Sequence, residues 1–327
     1  MTTNITIQEQ KSWKPDRPSS KGANEFHDAV INASWNHQCL DELIDSVKKD
    51  IKDNDIVVDF GSGTGTSAAR ILEKLKANIR LWLVDNSPAW LSKAYEFLSS
   101  RANVSFFMLE KKNDGYATLS ETVGEGNVDH VLSANTVHLI PDLRETFRGI
   151  SDSLKSKGTF VFNTGNVLRE EREKGILLLD STVHRVHDIA IDIIRKNPDF
   201  QKYSENLDKN VQACTPARKF IFPDPKPIQD YITALKEAGF GGINTYYKCF
   251  RLKYSDWMNF LRIKRLQAGI LPEVGGKDPT PKEEKDRDAL IIMSAKKLFK
   301  ELEKINPFAD DKSYLGEWAY VSAKKYS

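Results

Sequence analysis

A glycine-rich turn between a predicted strand and a predicted helix constrains this chain more than any other feature of its sequence. The stretch VVDFGSGTG (57–65) continues the β-branched run that starts at Asp55, and it precedes a helical pattern at 67–76. Glycines at alternate positions let the backbone turn tightly and approach a ligand where any side chain would collide. The following helix presents unpaired N–H groups towards such a ligand. The segment therefore predicts a ligand site at the end of a strand.

Strand and helix patterns alternate along the first half of the chain. The predicted strands lie at 55–60, 79–84, 104–109, 128–133 and 158–163. The predicted helices between them lie at 67–76, 87–99 and 141–154. This alternation predicts right-handed βαβ units and a mostly parallel sheet. Open sheets of this kind bind their ligands at the carboxyl ends of the strands.

The remaining patterns predict how the chain is divided. Residues 1–24 are interpreted as a flexible N-terminal arm and 25–164 as the ligand-binding core. Residues 165–226 are charged and mostly helical, which indicates an insertion that forms a lid. Residues 227–327 complete the sheet with strands at 242–252 and 317–323 and carry a second helical insertion at about 255–312. The predicted fold is α/β, a doubly wound, mostly parallel seven-stranded sheet with helical insertions.

Composition and charge argue against several classes of protein. The net charge of +2 gives no basic excess for nucleic-acid binding. No apolar stretch is long enough to span a membrane, and the N-terminus lacks the apolar centre of a signal peptide, so a cytoplasmic location is expected. The three cysteines (Cys39, Cys214 and Cys249) are far apart and predict neither a disulfide framework nor a metal site. The sequence does not predict an oligomeric state.

The residues around the turn discriminate between possible ligands. A dinucleotide fingerprint would have a third glycine where this chain has Thr66, and no Gly-Lys-Ser/Thr ending of a phosphate loop is present. Asp59 would be unfavourable beside a pyrophosphate and suits a cationic ligand. Asp85 ends the second strand, where an acid accepts hydrogen bonds from the ribose hydroxyls of an adenosine. The alternative for Asp85 is to cap the next helix, although Asn86 and Ser87 are also placed to do so.

Together these residues resemble the class I S-adenosylmethionine (SAM)-dependent methyltransferase family. The VVDFGSGTG segment resembles its first motif, Leu83–Asp85 its second, and 128–142 its fourth-strand motif. The stretch 154–160 is similar to its lead into the fifth strand, and 318–324 to its closing antiparallel strand. The resemblance covers 55–163, 228–240 and 318–324. It implies a Rossmann-like methyltransferase fold in which residues 25–164 form the core that binds SAM as the cofactor.

The resemblance also implies a set of cofactor-binding residues. Asn113 and Asp114 are the predicted adenine contacts, with Glu110 as the alternative. The full predicted set is Asp59, Gly61, Ser62, Gly63, Gly65, Asp85, Asn86, Asn113, Asp114, Ser133 and Asn135.

One histidine is the candidate catalytic residue. His138 follows the fourth strand and is predicted to act as a general base beside the donor, the alternative being a histidine that packs the loop. The predicted acceptor-binding residues are His184, His187, Tyr203 and Tyr247. The two histidines share a helix face at i, i+3 spacing. The alternatives for such a pair are an ordinary polar helix face and two histidines that bind a metal ion.

The predicted activity is methyl transfer from SAM to an oxygen, nitrogen or carbon nucleophile of a small molecule, by in-line displacement. One alternative is a non-catalytic SAM-binding or interaction protein of the same fold. Another is an NAD-dependent oxidoreductase, disfavoured by Thr66 and Asp59. An aminopropyl transferase would carry an acid pair where this chain has Ser133-Ala-Asn135.

Overall fold

The central element is a sheet with seven main strands. The computed structural model describes residues 12–113, 115–173, 175–305 and 312–326. The strands are β1 (Ile56–Phe60), β2 (Arg80–Asp85), β3 (Val104–Met108), β4 (Val128–Ala134), β5 (Leu154–Thr164), β6 (Phe240–Lys253) and β7 (Ser313–Lys325). Their order is β6-β7-β5-β4-β1-β2-β3. β1 to β5 are parallel, and β7 is antiparallel to both β5 and β6. The predicted doubly wound, mostly parallel fold is confirmed.

Helices cover both faces of this sheet. On one face pack α1 (Lys21–Ile31), α2 (Ser34–Asp45), α3 (Thr66–Lys74) and α4 (Pro88–Leu98). On the other pack α5 (Leu119–Val123), α6 (Leu143–Ser153) and α9 (Ile228–Glu237). All five residues of β1 are buried because the strand is covered from both sides, which is why it reads as a continuous apolar run interrupted only by Asp59.

The two helical insertions form what we call the helical cap. It consists of α7 (Leu179–Lys196), α8 (Leu207–Ile221), α10 (Tyr254–Leu261), α11 (Lys264–Ile270) and α12 (Pro281–Glu303). α7 packs on α12, and α11 packs on both α7 and α8, so the two insertions contact each other. The first insertion adds a short parallel pairing of Ile176–Leu177 with β7, which the sequence did not predict. None of the described helices is long and apolar enough to cross a membrane.

The first helix begins before residue 24, where the predicted N-terminal arm was expected to end. α1 begins at Lys21, because the Ser20 side chain accepts a hydrogen bond from the Ala23 N–H. Just upstream, the Trp13 N–H donates to the carbonyl of Phe106 on β3 at 2.7 Å. The helical spacing of apolar residues starts only at Phe26, so this spacing does not reveal Ser20 as the N-cap residue of α1.

Candidate functional site

The glycine turn leads from β1 into α3 at the carboxyl edge of the sheet. Gly61, Gly63 and Gly65 have φ of +72°, +54° and +82°, which strongly favour glycine. A methyl group added at Gly61 would lie 2.2 Å from Cγ2 of Thr136, which follows β4. The N–H groups of Gly61 and Ser62 donate to the carbonyl of Val84, at 2.8 and 3.1 Å. The turn is thus fixed between the ends of β2 and β4.

Asp85 holds the turn from the end of β2. Its Oδ2 accepts from the Gly63 N–H at 2.8 Å, and its Oδ1 accepts from the Ser87 N–H at the same distance. Ser87 is the N-cap residue of α4, but its side chain makes no capping bond. Burial raises the pKa of the Asp85 carboxyl. Each carboxylate oxygen has a further lone pair, so Asp85 can both hold the turn and accept bonds from a ligand.

Asp59 is a second buried carboxylate below the turn. Its Oδ2 accepts from the Ser67 hydroxyl at 2.5 Å. Among the residues that the structure describes, its Oδ1 has no partner, and neither do the buried hydroxyls of Ser62 and Thr64. Burial, with a smaller contribution from the Asp85 charge, raises the pKa of Asp59 to about 7. Three unpartnered polar atoms beside a bare backbone bend fit a polar ligand that carries positive charge.

Two helices enclose the turn. On α1, His27 Nδ1 donates to the carbonyl of Thr64 at 3.2 Å. Phe26 packs against Trp90 of α4 with ring centroids 4.4 Å apart. The same indole faces the turn, because a methyl group at Gly63 would lie 3.4 Å from it. α1 and α4 therefore shield the turn from solvent.

The ends of β4 and β5 form the opposite side of the site. The Ser133 hydroxyl donates to the carbonyl of Phe60 at 2.9 Å, and the Asn135 N–H donates to Asn163 Oδ1 at 3.0 Å. The Asn135 side chain accepts from Trp318 Nε1 at 2.8 Å, which connects β4 to β7. Ser133 and Asn135 thus hold the end of β4 to β1, β5 and β7.

The predicted adenine contacts lie beyond β3. Asn113 is exposed and lines an open cavity of about 470 Å³ together with Lys112, Tyr116 and Glu145. Glu110 and Asn86 are also exposed. Asp114 lies outside the described residues.

His138 lies in a short 3-10 helix (Val137–Leu139) after β4, beside the end of β5. Its Nδ1 is 3.0 Å from the hydroxyl of Thr164, and the side chain is buried. Burial and the nearby Lys226 lower the pKa of His138 to about 4. The imidazole is therefore neutral at neutral pH.

The predicted acceptor-binding residues lie in three places. His184 and His187 are on α7 inside the helical cap. Tyr203 ends the 3-10 helix Pro198–Tyr203, where its hydroxyl donates to Asp286 of α12 at 2.8 Å. Tyr247 is on β6, with the guanidinium of Arg169 at 4.4 Å from its ring centre. The structure brings only the two histidines together. Within the described ranges no group of three His, Cys, Asp or Glu side chains is arranged to hold a metal.

Comparison with protein families identifies the class. Residues 51–213, about half of the chain, match the sequence profile of a family described as a methyltransferase domain. The chain belongs to the class I SAM-dependent methyltransferases. The predicted cofactor of this methyltransferase, SAM, is thereby confirmed.

Two curated proteins are similar in sequence. A carboxy-S-adenosyl-L-methionine synthase from Nautilia profundicola is 24% identical over 237 residues, which cover 71% of this methyltransferase and 87% of that protein. The highly reducing polyketide synthase easB of Emericella nidulans is 31% identical over 110 residues, 32% of this chain but only 4% of the much longer synthase.

Solved structures share the fold at low sequence identity. The YcgJ protein of Bacillus subtilis superposes with a TM-score of 0.51 at 15% identity, covering 89% of this chain and 99% of its own. A candidate sarcosine dimethylglycine methyltransferase from Galdieria sulphuraria gives 0.52 at 10% identity, covering 94% and 99%. Phosphoethanolamine N-methyltransferase 2 of Haemonchus contortus, solved with phosphomonomethylethanolamine and S-adenosylhomocysteine, gives 0.50 at 15% identity, covering 94% of this chain and 57% of that protein.

Two contacts of this methyltransferase's glycine turn were not predicted from sequence. Thr136 closes the space beside Gly61, and His27 of α1 binds the turn carbonyl. Both come from segments that are distant in sequence. Thr136 lies within the fourth-strand motif at 128–142 but was not among the predicted cofactor residues, and His27 belongs to no recognisable motif.

Proposed function

We propose that this methyltransferase transfers a methyl group from SAM to an oxygen, nitrogen or carbon nucleophile of a small-molecule acceptor. The observation that carries the proposal is the turn itself: the Gly63 N–H donates to Asp85, and among the described residues one oxygen of the buried Asp59 carboxylate has no partner. A bare backbone, a buried carboxylate and an acid at the end of the next strand suit a cationic adenosine compound.

We assign the predicted cofactor residues to parts of the donor as follows. Asp59 faces its positively charged methionine portion, and the remaining lone pairs of Asp85 accept from the ribose hydroxyls. Asn86 and Asn113 lie on the adenine side, and Asp114 stays a prediction for that side. The backbone cradle and the opposite side are formed by Gly61, Ser62, Gly63, Gly65, Ser133 and Asn135.

The protein's contribution to such a reaction is alignment in a dry site. When bound, SAM supplies an activated methyl group on a positively charged sulfur. The chain must hold the nucleophile in line with that methyl group, and positioning of this kind is worth roughly 7–11 kcal/mol. α1 and α4 shield the turn from water, and the helical cap places further side chains near it: Arg265 of α11 lies 5.3 Å above the ring of Trp90.

His138→Ala should slow turnover about tenfold and leave SAM affinity near that of the wild type. General bases usually contribute roughly 10²–10⁴, but a pKa of about 4 lies far below working pH and makes His138 a weaker base. Single-turnover rates with labelled SAM measure the effect.

His130→Ala is the matched control for the His138 variant. It removes another buried histidine bonded to a threonine, with Nδ1 at 2.5 Å from Thr159, but His130 lies near the amino edge of the sheet. It should cost stability and leave turnover intact. A His138 variant with the full rate would assign that side chain a packing role only.

SAM affinity should rise with pH through the titration of Asp59. The ionised form attracts a cation, and its pKa of about 7 means that half of the free protein must lose a proton at that pH. Below pH 7 the affinity should fall by up to tenfold per pH unit, and above about pH 8 the Asp59 contribution should be constant. Calorimetry at pH 6, 7 and 8 measures this.

The control for the pH experiment is Asp59→Asn, which cannot ionise. The ligand's own amino group also titrates near pH 8, and the variant reports that background alone. Identical pH profiles for wild type and variant would exclude Asp59 from the cofactor site.

Calorimetry with SAM, S-adenosylhomocysteine and NAD tests the proposed function at the level of binding. We expect saturable binding of the first two and none of NAD. Binding of NAD in their place would favour the oxidoreductase alternative. If SAM binds, incubation of the protein with methyl-labelled SAM and a metabolite extract identifies the acceptor by its label. A chain that binds SAM but labels nothing would be the non-catalytic alternative.

A second candidate function is modification of SAM itself. The relative from Nautilia profundicola is named for making carboxy-SAM, and the similarity covers 87% of its length. Methyl-labelled SAM separates the two reactions. In methyl transfer a carbon label leaves with the acceptor and S-adenosylhomocysteine remains. In carboxylation a carboxyl donor from the extract supplies the new group, one methyl hydrogen leaves as a proton, and the carbon label stays in a heavier adenosyl sulfonium.

A further inference from the structure

A group of polar side chains meets inside the helical cap. His184 and His187 lie one turn apart on α7. Arg218 of α8 donates to His184, and Glu273, in the segment after α11, lies beside His187. Cys214, one turn before Arg218 on α8, is near enough for the Glu273 charge to raise its thiol pKa further above the increase that burial causes.

His184 presents a buried hydrogen-bond donor to this group. Arg218 donates through Nη1 to His184 Nδ1 at 3.2 Å, so the proton of the neutral ring is on Nε2. Burial, and then the charge of Arg218, lower the pKa of His184, which keeps the ring neutral. Both His184 Nε2 and Arg218 Nε are buried and have no partner among the described residues.

Glu273 presents a buried acceptor to the same group. Its side chain is only 1% exposed, and Oε1 is 3.2 Å from His187 Nε2. Its second oxygen, Oε2, is buried and has no partner within the described part of the chain. A buried polar atom without a partner costs free energy, so two donors and one acceptor that lack partners among the described residues indicate a ligand that satisfies them.

The segment that follows α8 is hydrogen-bonded to the carboxyl edge of the sheet through Asn166. Its N–H donates to the Thr164 hydroxyl, which lies beside His138, and its side-chain amide donates to the carbonyl of Pro223 at 2.8 Å. Pro223 follows the end of α8, five residues after Arg218. This end of α8 is therefore anchored at the carboxyl edge of the sheet, where the methyl group is to be transferred.

We propose that His184, Arg218 and Glu273 bind the acceptor, and that the acceptor is a small zwitterion of the amino-acid type. The two N–H donors bind its carboxylate, and the free oxygen of Glu273 binds its ammonium group. The donors lie beside His184 and the acceptor beside His187, and these two histidines are one helical turn apart on α7. A small molecule that carries both a carboxylate and an amine suits that arrangement. The assignment rests on the proposed function and names its substrate class.

The test is calorimetry of the full chain saturated with S-adenosylhomocysteine. The probes are the twenty standard amino acids, with acetate and methylamine as ligands that carry one charge each. The variants are Glu273→Gln, which keeps the shape and a partner for His187, and Arg218→Met. The control is Arg195→Met, which removes a charge from an exposed arginine of the same insertion, paired with Asp208 at 2.5 Å.

We expect at least one amino acid to bind the wild type, with affinity at least tenfold weaker in Glu273→Gln and Arg218→Met and unchanged in Arg195→Met. Acetate and methylamine should bind at least 100-fold more weakly than that amino acid. If S-adenosylhomocysteine binds but no amino acid does, or if Glu273→Gln binds it as tightly as the wild type, this assignment is overturned while the methyltransferase proposal stands. Failure of S-adenosylhomocysteine itself to bind would overturn both.

Discussion

Replacing Gly61 with alanine should destabilise this methyltransferase by about 2–5 kcal/mol and strongly reduce SAM binding. The left-handed backbone at φ +72° costs an alanine roughly 1–2 kcal/mol. The added methyl group would lie 2.2 Å from Thr136 Cγ2 and 2.8 Å from its Cβ, and overpacking of this kind costs roughly a further 1–3 kcal/mol. Urea unfolding of the variant and the wild type measures the loss.

Gly126→Ala is the matched control for Gly61. Gly126 has φ +63°, and an added methyl group would have no heavy atom within 4 Å. It should therefore show the backbone cost alone. Adding Thr136→Ala to Gly61→Ala should recover the steric part of the loss and leave a variant resembling Gly126→Ala. If the Gly61 variant is as stable as that control, the Thr136 side chain moves aside with no loss of stability.

Asp85→Ala should weaken SAM binding by roughly 1–3 kcal/mol, which is about 5- to 150-fold in Kd. Asp85 holds the turn through Gly63 and is assigned to the ribose, so its removal takes away both the shape of the site and a ligand contact. Calorimetry with S-adenosylhomocysteine measures the change in a variant whose fold is checked by circular dichroism.

Asp129→Ala is the control for Asp85. Asp129 also accepts a backbone N–H, from Ile56 at 2.9 Å, but it does so at the amino edge of the sheet. The control should lose stability and keep its affinity for S-adenosylhomocysteine. Unchanged affinity in a folded Asp85 variant would remove that residue from the cofactor site.

The sheet could be predicted from sequence because its signals are local. Each parallel strand is a short apolar run, and the breaks between runs coincide with helix starts and glycines. The order of Asp59, the glycines and Asp85 along the chain was enough to predict where the first two strands end. It also predicted that the glycine turn and two carboxylates lie at those ends. The structure adds that Asp85 accepts from Gly63, a contact that spacing alone does not reveal.

The helical cap was predictable only in outline. Its helical character follows from composition, but which side chains meet inside it depends on how α7, α8 and α11 pack. Sequence spacing indicated that His184 and His187 share a face, whereas the contributions of Arg218 and Glu273 come from 34 and 86 residues away. Tyr203 and Tyr247 lie elsewhere in the fold, and their role in acceptor binding stays a prediction.

The most direct test of the central claim is a crystal structure of the full chain grown with S-adenosylhomocysteine. We expect the ligand against the turn at 61–65, with both ribose hydroxyls bonded to Asp85 and the amino group facing Asp59. Density for the ligand elsewhere, with the turn and the two carboxylates free of it, would contradict the assignment.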